Sequence, residues 1–134
     1  MMKSHLVLIG FLLIMLVGCS VTDMTLRGES ESWSSTIEYK ASEEYKEYTG
    51  SIKYNGEEEI ETVSYQINAP SFLGMNASGN LEAYEENQKV FPLGRSGGTG
   101  TNYDKQMIKD ALEDVTITVQ WVTAEGEYEE IIEF

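Results

Sequence analysis

After residue 32 an alternation of apolar and polar side chains dominates the chain, and a period of two commits a segment to a strand with one buried face. Trp33, Ile37, Tyr39 and Ala41 share one parity, while Ser34, Thr36, Glu38 and Lys40 share the other. The same alternation predicts a second strand over Tyr45 to Tyr54, with Tyr48, Gly50, Ile52 and Tyr54 on one face. Asn55-Gly56 follows, a hairpin signal, so the return strand is expected from about Glu58 to Ile67, with Val63, Tyr65 and Ile67 inward. Ile60 has the wrong parity, which predicts a bulge near it. Pro70 ends this strand because it has no N–H for a ladder.

The middle of the chain is less regular. Short strands are expected at Gly79 to Tyr84 and at Lys89 to Leu93, with Pro92 placing the second at a sheet edge. Gly94 to Asn102, rich in Gly, Ser and Thr, reads as a surface loop. Lys105 to Leu112 suits one or two helical turns with Met107, Ile108, Ala111 and Leu112 on one side. Then Val115, Ile117, Val119 and Trp121 alternate with polar residues, Ala124-Glu125-Gly126 turns the chain, and Tyr128, Ile132 and Phe134 carry the return strand. The expected fold class is therefore all-β: an antiparallel β-sandwich of Ig-like architecture with about six to seven strands. Trp33 and Trp121 are its expected core anchors.

A different material precedes this domain. Lys3 is followed by an apolar run from Leu6 to Val17, broken only by Gly10. Twelve residues fall well short of the roughly 20 that a spanning helix needs. They fit the h-region of a signal peptide with a short basic n-region before it. Leu16-Val17-Gly18-Cys19 resembles the lipobox of bacterial lipoproteins. The resemblance implies recognition by a signal peptidase through Leu16, Val17 and Gly18, a diacylglyceryl group on the Cys19 thiol, and cleavage between Gly18 and Cys19. Two acyl chains hold a protein firmly where one gives only marginal binding. The address implied is the extracytoplasmic face of the cell membrane, with the lipid on Cys19 as the contact to the bilayer.

Residues 19–32 are mostly small, polar or charged and read as a lipidated cysteine followed by a flexible tether, about 20 Å when flexible and about 45 Å when stretched. The alternative is that Met24 and Leu26 begin the fold as an edge strand. The expected organisation is thus a signal peptide over 1–18, the tether over 19–32 and the β-domain over 33–134. Gly28-Glu29-Ser30 followed by Trp33, with a final hairpin carrying Ile117, Val119 and Trp121 and ending in Phe134, is similar to small lipoproteins of Gram-positive bacteria. That group has no assigned activity to carry over.

Charge narrows the partners. Residues 1–18 hold one basic residue, Lys3, and no acid, so the remainder carries 8 basic against 23 acidic side chains, a net charge of −15. Nucleic acids are bound by Lys and Arg that displace counterions, and the balance here argues against them. It favours a cationic or protein partner, or simple solubility.

Residue types narrow the chemistry further. His5 is the only histidine and Cys19 the only cysteine. If the first departs with the signal peptide and the second is acylated, no Ser-His-Asp triad or Cys-His pair can form. Imidazole and thiolate metal sites go with them, and no cofactor is expected. Carboxylates remain. Glu57-Glu58-Glu59-Glu61 and Glu127-Glu129-Glu130 are the candidates for a glycosidase-like pair, which needs one acid of raised pKa. Calcium suits oxygen ligands, but Asn102-Tyr103-Asp104 is only a fragment of a binding loop. Gly94-Arg95-Ser96-Gly97-Gly98-Thr99-Gly100 lacks the ending of a phosphate-binding loop. Asn76-Ala77-Ser78 matches a glycosylation sequon, incidental in a bacterial lipoprotein. The expected function is a non-enzymatic, membrane-anchored binding or interaction module. The alternatives are a calcium-dependent adhesion domain and a carboxylate-based glycan hydrolase.

Overall fold

The computed structural model describes residues 22–100 and 104–134. The signal segment, Leu16, Val17, Gly18 and Cys19 lie outside the described residues, as do Asn102 and Tyr103. The described chain is all-β and antiparallel. Its strands are β1 (Thr22–Glu29), β2 (Trp33–Ala41), β3 (Tyr45–Tyr54), β4 (Thr62–Asn68), β5 (Ala77–Glu82), β6 (Val90–Thr99), β7 (Thr116–Thr123) and β8 (Gly126–Glu133). They form one ladder in the order β5-β4-β7-β8-β1-β2-β3-β6. The ladder folds on itself into two four-stranded layers, β6-β3-β2-β1 and β8-β7-β4-β5. Along one side the layers join only through the pair Glu29–Glu133.

Eight strands appear where six or seven were expected, and the extra one comes from the assigned tether. Residues 22–29 pair with β2 along their whole length, Thr22 opposite Ala41 and Glu29 opposite Ser34. Met24 and Leu26 pack against the core, so the tether gives way here to the alternative in which they begin the fold. The inward residues are Thr22, Met24, Leu26 and Gly28, only two of them large and apolar, so the alternation is weak in the sequence.

The core follows the period-two pattern. Trp33, Ile37 and Tyr39 on β2, Ile52 on β3 and Ile117 and Val119 on β7 are fully buried. Trp33 meets Trp121 across the layers edge to face, ring centroids 5.5 Å apart, and also packs on Tyr54 and Phe91 at 5.2 and 6.1 Å. Its indole N–H has no hydrogen-bond acceptor among the described residues. Both tryptophans are core anchors, and Tyr128 stacks on Trp121 at 5.3 Å, shielding it from solvent.

Asn55-Gly56 does not close a hairpin. The neighbours of β3 are β2 and β6, and those of β4 are β5 and β7, so residues 55–61 cross from one layer to the other. The Tyr54 ring lies over Gly56, where any Cβ would overlap it. Lys89 Nζ donates to the carbonyls of Gly56 and Glu58 at 2.8 and 3.3 Å. Ile60 is buried from this crossing, ahead of β4, so its parity needs no bulge. The bulge lies instead on β6, whose register against β3 shifts between Thr49 and Ser51. Gly94, at φ 74°, supplies the left-handed residue there. Pro92 does sit on an edge strand, but β6 continues through residues 94–99, which were expected to be loop.

Helix α1 (Lys105–Leu112) starts where Asp104 accepts from the Met107 N–H at 2.8 Å, an N-cap. It buries Ile108, Ala111 and Leu112, while Met107 rides on its shoulder, 47% exposed. A 3-10 turn, Ser71–Leu73, is tied down by Tyr39 Oη donating to the Leu73 carbonyl at 3.0 Å and Lys46 Nζ to the Phe72 carbonyl at 2.9 Å.

The free edges β5 and β6 approach each other, and one side chain spans them. Tyr65 leaves β4, passes over Gly79 of β5 and donates its hydroxyl to the Leu93 carbonyl on β6 at 2.6 Å. Burial raises the phenol's pKa, so it stays a donor at neutral pH. A Cβ at Gly79 would sit 2.8 Å from Tyr65 Cε1. Tyr65→Phe should therefore cost about 1–3 kcal/mol by stranding the Leu93 carbonyl, and Gly79→Ala a comparable amount by displacing the ring. Urea denaturation of each variant should show a lower midpoint at unchanged slope.

Candidate functional site

The acids singled out in the sequence are placed apart. Glu58, at the crossing, accepts from Tyr54 Oη at 2.6 Å. That hydrogen bond, with the neighbouring backbone and Lys89, lowers its pKa despite a small desolvation. Burial, with Glu58's hydrogen bond and charge, pushes the Tyr54 phenol up to about 12. Glu130 is on the far strand β8, where it accepts from Ser30 Oγ and the Ser32 N–H, both at 2.7 Å. It thereby clamps the corner between β1 and β2. Burial alone would raise its pKa, and the hydrogen bonds from Ser32 and Ser30 outweigh this and lower it. Both perturbed carboxylates hold their charge more tightly, the opposite of a general acid.

Among the described residues no three acidic side chains gather into a group able to hold a metal ion. Asp104 is occupied as the helix cap. The exposed Asn76 side chain of the sequon is engaged with the backbone, donating to the Ala69 carbonyl at 2.9 Å and accepting from the Ala69 N–H at 3.0 Å. The glycine-rich segment 94–99 is paired with β3 and forms no cradle.

The two outer faces differ in chemistry. On β1, β2, β3 and β6 the outward residues include Asp23, Arg27, Glu38, Lys40, Glu47, Lys53 and Arg95, a mixture of signs. The cross-strand partners include Asp23 opposite Lys40 and Lys40 opposite Glu47, and Arg95 lies 3.9 Å from Glu47. Such exposed pairs contribute little. On β5, β4 and β7 the outward residues are almost all uncharged hydroxyls and amides. Ser64 faces Asn80 on one side and Gln120 on the other, and Gln66 faces Ser78 and Thr118. Asn68 faces Thr116.

This second face carries an open depression of about 760 Å³, lined by Thr62, Ser64, Asn80, Gln120 and Val122, by the aromatic rings of Tyr84 and Tyr128, and by the carboxylates of Glu82, Glu127 and Glu129. A smaller one of about 280 Å³ shares Ser64, Asn80 and Gln120 and continues along the strands to Gln66 and Thr118. Gln120 Nε2 donates to Glu129 at 3.0 Å. The side chains of Ser64, Gln66, Ser78 and Asn80 bond to no other described residue. Among the described residues no Lys or Arg lines either depression.

Tyr84 stands at one end of this face, 89% exposed. Its loop is hydrogen-bonded across: the N–H groups of Tyr84 and Glu85 both donate to Gln88 Oε1, at 2.8 and 3.4 Å, and Gln88 Nε2 donates to the Val90 carbonyl at 3.0 Å. Asn87 takes the left-handed conformation that the turn requires, φ 58°. Sequence reasoning did not single out Tyr84, Asn80, Ser64 or Gln120. Their signal was the polar half of each alternation, and it becomes a site only when β5, β4 and β7, distant in sequence, lie side by side.

No protein-family model matches the chain, and no curated protein matches it either. No described helix is long and apolar enough to cross a membrane.

The Glu130 clamp has a pH signature. Its folded pKa is below the unfolded value, so its contribution to stability is full above the ordinary carboxylate range and fades as pH falls through the folded pKa. Glu130→Gln should therefore lower the melting temperature at pH 7, and the difference from wild type should shrink toward pH 3. A constant difference across that range would assign the effect to packing.

Proposed function

We propose that this chain is a lipid-anchored, extracytoplasmic binding domain with no catalytic activity of its own. The observation that carries the reading is the open, almost uncharged face of β5, β4 and β7, with an exposed Tyr84 at its end whose backbone N–H is bonded to Gln88. A solvent-facing sheet surface is ordinarily polar; what sets this one apart is that its strands carry almost no charge in a chain whose formal net charge is −14. Its Ser, Thr, Asn and Gln groups both donate and accept hydrogen bonds, and they sit on strands that need not reorganise when a ligand arrives. The anchor rests on the lipobox resemblance of Leu16, Val17, Gly18 and Cys19. The lack of catalysis rests on the missing histidine and thiol beyond that point and on carboxylates shifted toward charge.

Two experiments separate these parts. Cys19→Ala should leave unprocessed precursor or release the protein from the membrane fraction; unchanged processing and retention would overturn the anchor. For the face, the full-length chain in detergent should co-sediment with lipid-stripped cell-envelope material. Ser64→Arg combined with Gln120→Arg should cut the bound fraction severalfold, whereas Thr36→Arg on the opposite face should not. Equal binding by all three proteins, or binding by none, would overturn the reading of the face.

A further inference from the structure

Resting on that reading of the face, we infer that its ligand is an uncharged glycan chain, laid along β5, β4 and β7 with one sugar ring stacked on Tyr84. Four observations converge on this chemistry. The floor offers hydroxyls and amides that donate and accept without charge, and sugar hydroxyls do the same. Along each strand the outward groups recur every second residue, about 6.7 Å apart, so a chain lying along the strands meets successive polar pairs, Ser64 then Gln66 and Gln120 then Thr118.

Tyr84 adds the second element. A pyranose has an apolar C–H face that buries well on an aromatic ring, and this ring is almost wholly exposed on a loop already fixed by Gln88. An ordered loop loses little entropy on binding.

Charge supplies the third. Glu82, Glu127 and Glu129 rim the depression with no cation among its lining, which repels polyanions while leaving carboxylates to accept sugar hydroxyls. Shape supplies the fourth. The two depressions share Ser64, Asn80 and Gln120 and together run along the face from Tyr84 to Thr118, so they suit a chain more than a single sugar. A protein partner fits less well, since protein interfaces centre on buried apolar and aromatic anchors, and the outward side chains of these three strands are polar apart from Val122, with Tyr128 of β8 beside them.

The test is calorimetric titration of the full-length chain in detergent with four hexamers: N-acetylglucosamine, glucose, the cationic glucosamine oligomer and an anionic hyaluronate fragment. At least one neutral hexamer should bind with a Kd of about 1 mM or tighter. Tyr84→Ala should weaken it by about tenfold, with Tyr84→Phe close to wild type, because stacking needs the ring and not the hydroxyl. Tyr84 is too exposed for its loss to unfold the domain, and an unchanged melting temperature would verify this. Binding of the glucosamine hexamer alone would overturn the uncharged class, and so would neutral binding that ignores Tyr84→Ala. If no hexamer binds while envelope material still co-sediments through Ser64 and Gln120, the glycan inference falls and the binding face stands. If that co-sedimentation is also missing, both fall.

Discussion

The contact between Trp33 and Trp121 is the interaction on which the rest of the fold depends. Among the described residues the two layers share a single backbone pair, Glu29–Glu133, along one side and none between β5 and β6. Backbone hydrogen bonding thus builds each layer but scarcely attaches one to the other. Attachment falls to side chains, and the heaviest of them meet in the cluster of Trp33, Tyr54, Phe91 and Trp121. Aromatic rings suit this because each buries a large apolar area and edge-to-face packing adds to it. An unpartnered indole N–H at Trp33 is tolerated at the centre of that cluster, which shows how strongly packing outweighs one polar group there.

Smaller devices close what the cluster leaves open. Tyr65 ties the β5 and β6 edges through the Leu93 carbonyl, and Glu130 ties the β1–β2 corner through Ser30 and Ser32. Exposed strand edges invite pairing with other chains, and at β5 and β6 the latch holds the two edges near each other. Glycine makes room at the Tyr65 latch and at the crossing by absence of a side chain. Gly79 lets the Tyr65 ring pass, and Gly56 lets the Tyr54 ring fold over the crossing.

Those glycines explain which parts of the chain were legible. Strands β2, β3, β7 and the helix were readable because each carries its own period, and Asp104 its own cap. Asn55-Gly56 misled because the dipeptide has two physical uses, a tight turn and a close approach, and only Tyr54's position chooses between them. Residues 94–99 misled because small polar residues suit loops in isolation, yet β3 pairs with them. Strand β1 was obscured because its alternation of half-buried and exposed residues is shallow, with one edge against β2 and the other nearly free. The uncharged face was present in the polar halves of three strands, but nothing local marks those residues as neighbours.

By itself, then, the sequence determined an all-β antiparallel chain, its buried parity and its two tryptophan anchors, because these depend on local periodicity and on hydrophobic burial. It also set the acidic balance and the residue types on which any chemistry must draw. The tertiary structure decided which strands are neighbours, where the chain crosses between layers, and that Ser64, Asn80, Gln120 and Tyr84 share one surface. Pairing among strands far apart in sequence is a global choice: many orders satisfy the same alternation, and only the packing of two faces around one core selects among them.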